Sequence, residues 1–252
     1  MRQFLIWQDF ATYRGLGFTS HRHSHFFSQI SIPDTGNVVL RNRSGEWQNY
    51  QVAFIPSGSS HEMQQTKSNL TLIYMNPLTI GASFFADRTL KKDQAAIEIA
   101  DLIPADLRIQ IRKMLATPQK IVRQEILELF RGFSKTPATR KIDARILKSL
   151  GHIEEEFFVL NQLAAEANLS VSRFRHLFKE ETGFAFSVYR LWLKTQKAVK
   201  HLALRPELIS AAYEGGFADQ AHFSRIFRRS FGMNPSEFTK KENPFRAIFF
   251  AD

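Results

Sequence analysis

Hydrophobic spacing changes period once along the chain. From Met1 to about Ala86 the apolar residues alternate or cluster in short runs, such as Gln29-Ile30-Ser31-Ile32, Asn37-Val38-Val39-Leu40 and Leu70-Thr71-Leu72-Ile73-Tyr74. Turn signals separate them at Pro33-Asp34-Thr35-Gly36, Arg43-Ser44-Gly45 and Pro56-Ser57-Gly58. Period-two runs cut by Pro, Gly and Asp predict many short strands, hence an antiparallel barrel or sandwich. From Asp93 the period is helical: Ile97, Ala100 and Ile103, then Leu107, Ile111 and Leu115 after Pro104, then Ile126, Leu127 and Phe130 beyond Pro118. A polar stretch, Ser134-Lys135-Thr136-Pro137-Ala138-Thr139-Arg140-Lys141, follows and has the composition of a linker. Everything after Ile142 is helical in pattern. The expected organisation is a strand domain over 1–90, a helical connector over 91–133, a linker over 134–141 and an all-α domain over 142–252.

The last segment contains a repeat. Phe174, Leu177, Phe178, Lys179, Gly183, Ser187 and Tyr189 recur 49 residues later as Phe223, Ile226, Phe227, Arg228, Gly232, Ser236 and Phe238. Each copy predicts a short helix, a turn and a second helix. In the first copy Asn168-Leu169-Ser170 makes the turn, Ser170 caps the second helix and Gly183 ends it; in the second, Pro206 opens a helix, Gly215-Gly216 makes the turn and Asp219 stands at the next helix start. Ala164 and Ala212 are small enough for paired helices to approach closely, as a helix-turn-helix requires. The i, i+3, i+4 aromatic and aliphatic triplets face inward. Ser172, Arg175, His176 and Lys179 are left on the outer face of one helix, and Gln220, His222, Ser224, Arg225 and Arg228 on that of the other. Arg donates twice to guanine, Gln pairs with adenine, and Lys or Arg neutralises phosphate. A solvated charged face explains one such helix; two in equivalent places point to double-stranded DNA.

Charge agrees with a polyanionic partner. The 252 residues carry a formal +10, and residues 140–252 hold 18 Lys/Arg against 13 Asp/Glu. Composition narrows the chemistry further. There is no cysteine, which removes disulfides, thiolate metal sites and thiol catalysis. Residues Met1–Phe10 are too polar for a signal peptide and no apolar run approaches the roughly 18 residues of a membrane span, so a cytoplasmic protein without a membrane partner is expected.

The stretch Gly216-Phe217-Ala218-Asp219-Gln220-Ala221-His222-Phe223-Ser224-Arg225-Ile226-Phe227-Arg228-Arg229-Ser230-Phe231-Gly232-Met233-Asn234-Pro235 closely resembles the DNA-binding domain of the AraC/XylS family of bacterial transcription regulators. Leu169-Ser170, Phe178-Lys179-Glu180-Glu181-Thr182-Gly183 and Tyr189-Arg190 extend the resemblance to the first unit, so that it covers roughly 150–240. It implies seven helices, with a long one over about Phe186–Leu204 holding the units apart, and two recognition helices entering major-groove turns about 34 Å apart. It also implies an operator as partner, a small-molecule effector, a homodimer through helices such as those of 93–133, and RNA polymerase where the regulator activates. Two departures stand out: Ala211 where the family carries a larger aliphatic residue, and Val159 where it often has a capping Ser.

The N-terminal half carries its own resemblance. Gly17, His23-Ser24-His25, Gln29 and Gly36 follow the spacing of a first cupin motif, with Gln29 in place of its Glu. Pro56-Ser57-Gly58-Ser59-Ser60-His61 matches the core of the second, with Tyr50 where a Gly is expected and Gln65 for its final Asn. A cupin-like antiparallel barrel is therefore expected, as in sensor domains of AraC-type regulators. Residues His23, His25 and Gln29, even-spaced on one strand, share a face with His21 if the strand starts early enough, and His61 comes from a distant strand. Three roles stay open for them: a polar lining for an organic effector, a site for a divalent metal, or structural histidines. The fold class is α+β, multidomain. Two other functions compete with this one. A metal-dependent cupin enzyme with an appended DNA domain lacks an obvious general base. A DNA-bending protein would not need two dissimilar recognition helices.

Overall fold

The computed structural model describes residues 2–78, 90–91, 93–131, 133, 142–155, 159–239 and 245–250. The linker expected over 134–141 lies outside them. The chain begins with strands β1 (Arg2–Ile6), β2 (Phe10–Leu16), β3 (Ser28–Pro33), β4 (Val38–Arg41), β5 (Trp47–Tyr50), β6 (Ala53–Ile55), β7 (Glu62–Met63), β8 (Asn69–Met75) and β9 (Ile97–Glu98). Helices follow: α1 (Ala105–Ala116), α2 (Val122–Arg131), α3 (Ala144–Glu155), α4 (Leu160–Glu166), α5 (Val171–Thr182), α6 (Phe186–Leu204), α7 (Leu208–Glu214) and α8 (Gln220–Phe231). A 3-10 turn over Pro235–Thr239 and strand β10 (Phe245–Phe249) end the described chain.

The strands form a seven-stranded sheet in the order β10-β1-β2-β8-β3-β6-β9 and a three-stranded sheet in the order β5-β4-β7. The closed barrel expected from the cupin spacing is thus two open sheets among the described residues. Outside the named strands His23 and His61 form a lone antiparallel bridge, each N–H donating to the other's carbonyl at 2.9 Å. Segment 20–27 carries that single bridge and bends at Phe26-Phe27 before β3 begins, so no regular strand alternation runs through it.

Period two sorts the large sheet's side chains into two cores. Leu5, Trp7, Ile30, Ile32, Phe54, Ile73 and Met75 face one way, against Ile111 and Leu115 of α1 and Val122, Ile126 and Phe130 of α2. The connector helices therefore turn their apolar stripes to the sheet, while Ile109 and Ile121 stay exposed. Arg112 of α1 and Arg14 of β2 both reach Asp34 in the β3–β4 turn, at 3.3 and 2.9 Å.

Phe4, Ile6, Leu70, Leu72, Tyr74 and Ile55 face the other way, into a second core continuous with Phe174, Phe178, Tyr189, Val199, Phe223 and Phe227 of the C-terminal helices. One apolar cluster thus joins the strand and helical regions. The pairing of β10 with β1, parallel and in register from Arg2↔Phe245 to Ile6↔Phe249, adds backbone hydrogen bonds to that junction. The C-terminal end of segment 142–252 is therefore a strand of the N-terminal sheet.

Candidate DNA-reading helices and histidine centre

Helix α5 starts where Ser170 accepts the N–H of Arg173 at 3.2 Å and stops at Gly183, whose φ of 86° is the left-handed cap. Helix α8 repeats the device: Asp219 accepts the N–H of His222 at 2.6 Å, and Gly232 ends it at φ 68°. Each cap satisfies a backbone group that the helix leaves orphaned, contributing about 1 kcal/mol. Helix α4 has no such start. Val159 offers no acceptor, and only its N–H is satisfied, by the Gln162 side chain at 3.0 Å. Helix α7 begins at Leu208 with Glu207 preceding it, so Pro206 stands just outside the helix rather than in its first turn.

The inner faces are as the repeat predicts. Phe174, Leu177 and Phe178 are buried on α5, Phe223 and Phe227 on α8, with Ile226 half-buried. The 19-residue α6 runs between the two units. Helix α7 lies so close to it that a Cβ on Gly215 would stand 2.7 Å from the Ala198 Cβ and 2.8 Å from the Lys194 carbonyl. Ala211, fully buried here, is small for the same reason.

On the outer faces Ser172, Arg175, His176 and Lys179 of α5, and Arg225 and Arg228 of α8, are exposed. His176 and Arg225 occupy equivalent places in the repeat, as do Lys179 and Arg228. Gln220, His222 and Ser224 are half-buried. The His222 ring stands edge-on to Phe217 at 5.4 Å, so this residue packs at the helix start more than it projects. The His176 Nδ1 lies 3.2 Å from a Glu180 carboxylate oxygen, which holds the imidazole along the helix. Beside α5 a groove of about 720 Å³ is lined by Ser172, Arg175, His176 and Lys179 together with Arg190 and Lys194 of α6. Composition had not marked these last two. Arg190 and Lys194 lie four residues apart on one face of α6, and Lys194 also donates from Nζ to the Gly216 carbonyl of the second unit at 2.6 Å.

The histidines converge as well. His23, His25 and His61 are buried, and one ring nitrogen from each lies within 4.8 Å of the others. His21 is exposed and leaves the group, because the segment before His23 is not a regular strand. All three buried rings are anchored through Nδ1 to a carbonyl two residues away: His23 to His21 (2.8 Å), His25 to Phe27 (2.7 Å) and His61 to Ser59 (3.0 Å). A neutral imidazole that donates from Nδ1 keeps a lone pair on Nε2. Burial holds all three in that neutral form. It lowers His23 from 6.5 to about 3, reinforced by His25; it lowers His25 as well, and His61 well below its ordinary value, reinforced by His23 and His25.

Gln29 joins the group from β3, its side-chain oxygen 2.9 Å from the His25 Nε2 and its amide donating to Ser31 at 2.9 Å. The His61 Nε2 is buried without a hydrogen-bond partner. Three Nε2 lone pairs and an amide oxygen form a donor set suited to a borderline transition-metal ion rather than to calcium or magnesium.

Comparison with known proteins agrees with the helix-turn-helix region and with the overall fold. A helix-turn-helix domain model matches residues 163–241. The HTH-type transcriptional activator RhaS of Citrobacter koseri is 29% identical over 245 residues, covering 85% of this chain and 86% of that protein. RhaS of Klebsiella pneumoniae is 28% identical over 124 residues, where the match spans 44% of that protein's length. Among solved structures, an apo ToxT variant from Vibrio cholerae has a TM-score of 0.60 at 12% identity, covering 92% of this chain and 97% of that one. It shares the arrangement of an N-terminal β-sheet domain followed by a helical domain.

Proposed function

Because this chain belongs to the AraC/XylS family of helix-turn-helix transcription regulators, we propose that it activates transcription by seating α5 and α8 in successive major-groove turns on one face of its operator. One observation carries this reading. Two helices are capped in the same way, buried on the same face, and expose cationic side chains at equivalent positions, Lys179 and Arg228. Arg175 and Arg225 are the residues assigned to base edges, with Ser172, His176, Gln220, His222 and Ser224 flanking them. Lys179, Arg228, Arg190 and Lys194 take phosphate. The relatives described above are named as activators rather than enzymes, which favours the regulatory reading over a cupin enzyme.

The N-terminal sheets act as the sensor, and His23, His25, Gln29 and His61 are its candidate effector residues. An effector there shifts DNA affinity only by binding one arrangement of the two regions better than another. A homodimer fits this account through exposed surface other than the apolar stripes of α1 and α2. None of the described helices is long and apolar enough to cross a membrane.

Selection of duplexes from random DNA by the full chain tests the reading. The expected product is a site with two conserved blocks whose centres lie about 10–10.5 base pairs apart. Recovery of sequences with no common block would overturn it.

A further inference from the structure

We propose that the signal read by the sensor is a divalent transition-metal ion, held by His23, His25 and His61 with Gln29 beside them, and that it acts on DNA binding through the contact of segment 20–23 with the end of α8. This rests on the regulator reading and specifies its effector and its path.

The geometry selects an ion over an organic molecule. The three rings have centroids only 4.2, 5.0 and 5.6 Å apart, spacing that leaves no room for a carbon skeleton between them. Their Nδ1 atoms are all tied to backbone carbonyls, the outer support that fixes ring orientation in metal sites. The buried, unpartnered Nε2 of His61 points to a missing Lewis acid rather than a missing donor group. A proton there would charge a ring that burial keeps neutral. The His25 Nε2 and the Gln29 oxygen, 2.9 Å apart, are two acceptors facing each other while His25 donates from Nδ1. An ion between them would accept both lone pairs, with the Gln29 amide still donating to Ser31. With no carboxylate in the set, the site remains neutral before binding, which suits zinc, cobalt or nickel and disfavours calcium.

The same residues lie against the DNA-binding region. The His21 N–H donates to the Gly232 carbonyl at 3.0 Å, at the residue that caps α8. A Cβ on Gly232 would stand 2.6 Å from the Ser20 Cβ and 2.7 Å from the His23 Nδ1. Just after the centre, Phe27 packs edge-on against Trp192 of α6 at 4.2 Å, and Phe26 against Phe184 at 4.5 Å. Ligand nitrogens now spread over as much as 4.8 Å must draw in to roughly 3.4 Å, the edge of a tetrahedron with bonds of about 2.0–2.1 Å. Any part of that contraction taken up by His23 shifts the surface on which Gly232 rests.

The experiment uses the full chain, stripped with a chelator, and a duplex that it has selected from random DNA. Cobalt(II) is titrated first and its visible absorption followed. Zinc(II) is then added while duplex affinity is measured by fluorescence anisotropy. The expected results are one bound cobalt with nitrogen-ligand absorption bands, and a change of at least about fivefold in duplex affinity with zinc. In His61→Ala and in the milder His61→Gln both responses are lost while metal-free DNA binding persists. No cobalt bands in the folded wild type would overturn the site. A normal cobalt spectrum with unchanged duplex affinity would overturn the coupling. Cobalt bands in a chain that selects no duplex would instead refute the regulator reading, and this inference about signalling with it.

Discussion

Trp192, in the middle of α6, packs against Phe27 at 4.2 Å with the rings nearly perpendicular, and it also meets Phe26 in parallel stacking at 6.0 Å. This is the main aromatic joint between the sensor strands and the helix that separates the two DNA-reading units. It is reinforced by a Gln196 side-chain hydrogen bond to the Gln8 carbonyl and by the Arg2–Glu237 ion pair at 3.4 Å. The ion pair is half-buried and at 3.4 Å is long for a charge-assisted hydrogen bond; the aromatic joint covers more apolar surface.

Trp192→Ala should therefore destabilise the full chain by about 3 kcal/mol, since it leaves a void under Phe26 and Phe27. Thermal unfolding followed by tryptophan-independent circular dichroism checks it. The expected curve has a lower midpoint and splits into two transitions as the regions uncouple. A single unshifted transition would show that Trp192 does not join them.

Acid should destabilise the metal-free protein well before its carboxylates titrate. Unfolded imidazoles have pKa values near 6.5, whereas His23 is held at about 3 in the fold and His25 and His61 are also lowered. Between those values the unfolded chain binds more protons than the folded one. Stability is thus full above pH 6.5 and declines as pH falls through the window below it. Melting temperatures of chelator-treated protein between pH 7.5 and 4.5 should fall on the acid side, and less steeply in His23→Gln. A flat profile through pH 6 to 5 would contradict the burial of three neutral rings.

The repeat made the DNA-reading half legible. Local rules fix it: Ser170 and Asp219 as caps, Gly183 and Gly232 as left-handed stops, and aromatic triplets at i, i+3, i+4. The convergence of His23, His25 and His61 was also readable, from even spacing and a motif on a distant strand. The closed barrel was not realised among the described residues, and the bend at Phe26-Phe27 is one departure that a period-two count does not register. The same bend puts those aromatics on Trp192. Nor did any local pattern announce the parallel pairing of Phe245–Phe249 with β1, since its partner lies more than two hundred residues away. Helical phase alone places His222 outward; its edge-on contact with Phe217 depends on how the turn before α8 folds back.

Strand β10 changes what a truncated DNA domain should do. A fragment of residues 142–252 leaves that strand and the apolar faces of α6 and α8 uncovered. It should fold through the α4–α8 core and bind DNA, but it should self-associate more than the full chain. Sedimentation at several concentrations checks this. A monodisperse monomeric fragment would show that the joint buries less apolar surface than Phe26, Phe27 and β10 imply.

If Lys179 contacts phosphate as proposed, Lys179→Ala should weaken binding to all duplexes about equally and reduce the slope of log affinity against log salt by about one unit. Arg228→Ala in the equivalent place should do the same. Affinities at several salt concentrations on selected and scrambled duplexes check it. A loss confined to the selected duplex would reassign these residues to base edges.

The most direct test of two separate readers on one DNA face is to repeat the random-duplex selection with Arg175→Ala and with Arg225→Ala. Each substitution should cost about 1–3 kcal/mol on the wild-type site and relax preference at one position. The relaxed positions should fall in different blocks of the site, about one helical turn apart, with the other block unchanged in each case. Unaltered selected sites and affinities in both variants, or loss of the same block in both, would contradict the account.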